Sequence, residues 1–188
     1  MLRLCAVVFA LVSCCAIPAS ATTYPPVTFD ELVARAAVIF VGEVVDVRPF
    51  ALNTREGPII KTRVVFRVSD PLWGTMSAVE VFEFFGGELD GVGMAIAEMP
   101  AFAVGDRRVV FARRERSINP IVGFTQGLLQ VRRDASGVDR ILTLDGVPVA
   151  APESIGARAP GVSLTPIVPM RLSDFRGRIS RALEARRR

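Results

Sequence analysis

The chain contains no histidine, and its three cysteines, Cys5, Cys14 and Cys15, are confined to the first fifteen residues. Without histidine there is no serine–histidine–acid constellation and none of the commonest zinc sites. Lys61 is the only lysine, and a serine–lysine pair would have to rely on it. It alternates with Ile60 and Thr62 in a strand-like run, which makes it a solvent-facing side chain. No G-x-S-x-G elbow and no phosphate-binding loop is present, since Lys61 follows Pro58-Ile59-Ile60 rather than glycines. Gly91-Val92-Gly93 lacks the third glycine of a dinucleotide fingerprint. Together these gaps exclude most histidine- and thiol-based chemistry and lead us to expect a non-enzyme that needs no cofactor and no metal.

Long apolar runs are also missing. The longest candidate, Leu4 to Val12, has nine residues, less than half of the ~20 needed to span a bilayer. It follows Met1-Leu2-Arg3 and precedes Pro18 and the small-x-small site Ala19-Ser20-Ala21, so residues 1–21 read as an export signal cleaved after Ala21. A competing reading takes Leu11-Val12-Ser13-Cys14 as a lipobox, with Cys14 lipidated and the protein held on a membrane. The expected location is periplasmic or secreted, or lipid-anchored if Cys14 is used. Cleavage after Ala21 would leave a mature chain without cysteine, which must be held by its hydrophobic core rather than by disulfides.

Charge is unevenly placed. Residues 171–188 hold seven arginines against Asp174 and Glu184, whereas 22–170 carries 15 basic and 17 acidic residues. With no basic face on the body, nucleic acid is not an expected partner. The basic tail from residue 173 has Phe175, Ile179 and Leu183 at i, i+4 and i+8, one apolar stripe on an arginine-rich helix. Arg186 to Arg188 would offset the negative end of the helix dipole; the alternative is an electrostatic tether to an anionic surface, with Arg178 and Arg181 as candidate contacts.

What the body does contain is strand pattern. Thr28-Phe29-Asp30-Glu31 is a capping box that opens a short helix over about 29–36. Strands are expected over 37–47, with Gly42 at a bulge or close approach, then 60–68, 79–85 and 107–114. Asp70-Pro71-Leu72-Trp73-Gly74 should end the second of these with a turn. Residues 128–133 and 139–144 flank Asp134-Ala135-Ser136-Gly137 as a hairpin. From 146 to 172 five prolines exclude a helix and mark an extended arm or linker. The expected domains are therefore the signal (1–21), a β-barrel (22–145), the proline-rich arm (146–172) and the basic helix (173–188).

Carboxylates are the remaining chemical candidates. Glu88 and Asp90 lie in a glycine-rich loop, 86–93, where they could bind an ion or serve a hydrolase, but the plainer reading is a solvated turn. Trp73 is either an exposed binding aromatic or a core plug, and the second is favoured. Candidate partner-binding residues are thus Trp73, Glu88, Asp90, Arg178 and Arg181.

Three segments carry a resemblance. Phe29-Asp30-Glu31-Leu32-Val33-Ala34-Arg35-Ala36 leads into Val38-Ile39-Phe40-Val41-Gly42-Glu43-Val44; Thr62 to Val68 ends in Leu72-Trp73-Gly74; Phe102 to Phe111 follows. This order is similar to a group of uncharacterised secreted bacterial proteins and, more distantly, resembles the netrin-like modules of tissue inhibitors of metalloproteinases. The resemblance implies a mainly β, OB-like antiparallel barrel with a short N-terminal and a C-terminal amphipathic helix. Netrin-like inhibitors reach the protease metal through an N-terminal cysteine, which no residue here matches. The expected role is non-catalytic binding of a protein or envelope polymer. The alternatives are a protease inhibitor acting through loops 86–100 or 115–126, or a hydrolase using Glu88 or Asp90.

Overall fold

The computed structural model describes residues 25–74, 77–115, 117–156 and 166–187. The expected export signal, its cleavage site at Ala21 and the alternative lipidation site at Cys14 lie outside these residues. The described chain is mainly β: helix α1 (Phe29–Arg35), strands β1 (Val38–Thr54), β2 (Gly57–Trp73), β3 (Val79–Phe85), β4 (Gly87–Leu89), β5 (Val92–Met94), β6 (Arg107–Ala112), β7 (Leu128–Arg133) and β8 (Asp139–Leu142), and helix α2 (Leu172–Arg186). No helix among the described residues is long and apolar enough to cross a membrane.

The capping box closes as its sequence dictates. Glu31 donates its backbone N–H to Thr28 Oγ1, and the Glu31 carboxylate accepts from the Thr28 backbone N–H at 2.9 Å. Phe29, Leu32 and Val33 turn inward. Six strands form one antiparallel sheet in the order β3-β2-β1-β6-β7-β8, and β4 pairs with β5 apart from it. The expected closed barrel is not formed: β3 and β8 are the two edges, and they do not pair with each other.

Strand alternation puts a separate core on each face of the sheet. Ile39, Val41, Val109, Phe111, Leu129, Val131 and Ile141 point to one face, where α1 and α2 lie across them with Phe29, Leu32, Phe175, Ile179 and Leu183. Val38, Phe40, Val64, Phe66, Phe82, Phe84 and Val110 point to the other. There Phe40, Phe66, Phe82, Phe84 and Phe102 form a ring cluster with centroids 4.7–6.2 Å apart. Phe102 arrives from the long β5–β6 connection, which Gly105 ties down by donating its N–H to Val44 O.

Gly42 sits at a register shift in β1, as the sequence suggested, and a Cβ there would lie 2.9 Å from a Phe40 ring carbon and 3.1 Å from Arg67 O. Three expectations need correction. β1 and β2 run on to residues 54 and 57 as a 17-residue pair, so the strands extend well past 47 and begin before 60. Asp70-Pro71 does not break β2, which continues to Trp73. The reason is that β3 covers β2 only over Lys61–Arg67, so at Pro71 the missing N–H falls on an open side. β6 likewise ends at Ala112, two residues short of the expected 114.

The described parts of the proline-rich segment, 146–156 and 166–172, lie against the β8 side of the sheet, and the rest of the expected arm falls outside the described residues. Val149 donates to Ile141 O, Ile141 to Met170 O and Met170 to Val149 O, and Arg140 reaches Pro169 O. These bonds cover the β8 edge, and the arm's own Val149, Pro152 and Ile155 are buried, Val149 and Ile155 within the helix-side core.

Candidate functional site

The residues singled out in the sequence do not converge. Glu88 and Asp90 belong not to an open loop but to the small β4–β5 hairpin, both exposed, with Asp90 at the turn in a left-handed conformation (φ 51°). Among the described residues, no group of three or more acidic, histidine or cysteine side chains is placed to hold a metal. Trp73 is half-buried against the helix-side core, with the Arg186 and Arg187 guanidinium carbons 5.5 Å and 5.3 Å from its ring centroid.

The arginines of α2 are largely engaged within the molecule. Arg186 donates to Val33 O at 3.0 Å and Ala36 O at 3.2 Å, capping the C-terminal carbonyls of α1. Arg176 pairs with Asp70, and Arg178 pairs with Glu153. Arg181 is exposed and has no ion-pair partner among the described residues.

A site that sequence reasoning missed lies at the other end of the sheet. Phe85 donates its N–H outward, to Ile118 O at 3.0 Å, while Gly86 N–H points inward to Ile60 O and Ala78 O accepts from Val68. Antiparallel pairing alternates these directions residue by residue. The N–H and C=O of Val81 and Glu83 therefore face away from β2, along an edge where no other strand among the described residues pairs with them. The ends of the same edge are occupied: Ser77 Oγ bonds both Val79 O and Val79 N–H, and Ile118 takes Phe85.

Between this edge and the segment leaving β6 lies a cleft of about 250 Å³, lined by Lys61, Glu80, Glu83, Arg113, Arg114 and Ser117 among others. Its charges are paired. Arg114 crosses the gap to the buried Glu80 carboxylate at 3.1 Å and to Gly74 O at 3.2 Å. Lys61 and Arg63 hold Glu83 at 3.4 Å and 3.2 Å; partial burial pushes that carboxyl's pKa up, but the two cations outweigh it and the net shift is downward. Arg113 contacts Glu115 at 3.3 Å, yet its Nε is buried with no acceptor. Exposed Val81 lines the cleft, and the exposed apolar residues Val79 and Ile118 neighbour its lining residues Glu80 and Ser117 in the chain.

A second, shallower cavity of about 560 Å³ is bordered by Glu98, Met99, Arg108 and Asp145. Its buried cation, Arg108, is already neutralised by Asp106 at 2.6 Å. In comparisons with known proteins, no family model, curated protein or solved structure matches this chain.

The edge was not legible in advance because it depends on which strand ends up outermost. The run VEVFEFF reads equally well as a central or an edge strand. Only the absence of proline or an outward lysine beside its valines hints that nothing blocks it.

Proposed function

We propose that this chain is an exported, non-catalytic binding protein of the cell envelope that meets a protein partner at the open edge of β3. The observation that carries the reading is the contrast between the two ends of the sheet. The β8 edge is covered by the chain's own arm, whereas Val81 and Glu83 present main-chain groups with no partner among the described residues beside a charged cleft. Natural sheets protect edges they do not use, because an unprotected one is a template for another strand.

We further read the open sheet as an opened OB-type barrel, in line with the resemblance to netrin-like modules. Support comes from the gap itself: the Phe85–Ile118 hydrogen bond and the Arg114–Glu80 pair span it, bringing the β6–β7 connection to the β3 edge. The loop-borne inhibitor reading shares this place, since Glu115 and Ile118 are exposed on the segment that borders the cleft. A carboxylate hydrolase has less support, because Glu88 and Asp90 stand exposed on a hairpin turn rather than in a cleft.

The test is to immobilise the protein from Thr22 onward and expose it to extract of its own envelope, while assaying the pure protein for turnover. The reading predicts a retained protein partner and no turnover. Hydrolysis that disappears in Glu88→Ala would contradict it.

A further inference from the structure

We infer that the cleft beside β3 takes an extended segment of a partner protein by strand addition, with apolar side chains at alternate positions and a carboxylate facing Arg113. The inference rests on the binding role proposed above and names the class of partner. Seven residues of β3 at about 3.3 Å each make an edge on the order of 23 Å long. Only its middle is open, at Val81 and Glu83, and an incoming strand running there gains main-chain bonds to both residues.

Side-chain alternation then fixes what flanks the added strand. On one side it meets Val79 and Val81, which alternate onto the same face, are 45% and 49% exposed and favour β-branched or other apolar neighbours. On the other it meets the Glu80–Arg114 pair and Arg113. Glu80 and Glu83 are already matched by Arg114, Lys61 and Arg63, but among the described residues Arg113 has only the outlying Glu115 as an ion-pair partner, whose side chain is 65% exposed. The Arg113 side chain is itself 38% exposed, so its guanidinium can turn to an incoming carboxylate and give the orphaned Nε an acceptor.

A second copy of β3 fits less well than a flexible segment. With Val81 opposite Glu83 of the copy, Phe85 would face the copy's Val79, and both of those edge positions are already taken by Ile118 and Ser77.

The probe is a phage-displayed library of random linear peptides selected on the mature protein, followed by titration of the synthetic winners. The expected winners alternate apolar and polar residues and carry an aspartate or glutamate. Val81→Pro removes an outward N–H that the β2–β3 ladder does not use, so the fold should persist, as circular dichroism would check, while peptide affinity falls at least about tenfold. Arg113→Ala, which touches no strand pairing, should weaken the acidic peptide but not its amide counterpart. Winners that bind Val81→Pro as well as wild type would overturn strand addition. So would a concentration-dependent dimer that Val81→Pro abolishes, since it would make the occupant a second copy. An envelope partner captured equally by wild type and Val81→Pro would leave the binding role standing and remove this mode of binding. Failure to capture any partner or select any peptide would remove both.

Discussion

Asp139 shows how much a single side chain can tie together. Arg107 on β6 clasps it with two hydrogen bonds, at 2.9 Å and 2.8 Å, and Arg133 on β7 adds a third at 3.0 Å. The Arg107 bonds first, then those from Arg133, hold the Asp139 carboxyl well below the usual carboxylate range despite its burial. A carboxyl whose folded pKa is depressed contributes stability that is complete above its unfolded value, about 4, and is lost as pH falls below it. Asp139→Asn should therefore be less stable than wild type to urea at neutral pH, and the gap should shrink steadily below about pH 4. A gap that stays constant into that acid range would refute the role given to Asp139. Gly74 makes a second residue-scale case: at φ +68°, a Cβ would sit 1.9 Å from Ala37 O. Gly74→Ala should cost at least about 2 kcal/mol in the same assay. The capping box was readable because all of its partners lie within four residues. The Asp139 cluster was not, because Arg107, Arg133 and Asp139 meet only when β6, β7 and β8 are adjacent.

At the scale of elements, α2 is a structural part of the body rather than a free tail. Phe175 is fully buried and its ring centroid lies 5.6 Å from that of Phe29 and 6.4 Å from that of Phe111, joining both helices to the sheet. Phe175→Ala should cost about 3–5 kcal/mol in chemical denaturation, and a loss under about 1 kcal/mol would mean the helix is not part of the cooperative unit. The i, i+4, i+8 stripe made this helix visible in the sequence, and the arginine partners on α1, β2 and the arm explain why its polar side is so basic. The full length of the β1–β2 pair was hidden: Pro71 reads as a turn, and Pro49 and Pro58 lie in stretches that the strand pattern leaves outside both strands. These prolines are tolerated because beyond the short reach of β3 and β6 each strand of the pair has a free side. The Gly87–Met94 hairpin was hidden for a different reason: its strands are three residues each, too short to show a period.

For the whole molecule, the decisive asymmetry is between two sheet edges. The six strands of the main sheet were legible in part, and so was the mainly antiparallel β class with a short helix before the strands and another after them. Closure into a barrel was not, because it depends on whether the outermost strands can reach each other across the fold. Here the arm takes the place beside β8, and among the described residues the β6–β7 connection hydrogen-bonds to β3 at Ile118 and through Arg114. The account stands or falls on the state of the β3 edge in the free protein, and residue-resolved amide hydrogen exchange reads it directly. It predicts rapid exchange at Val81 and Glu83, with slow exchange at Phe82 and Phe84, which bond to β2, and at Ile141 and Val149 under the arm. Protection of Val81 and Glu83 equal to that of Phe82 would contradict it.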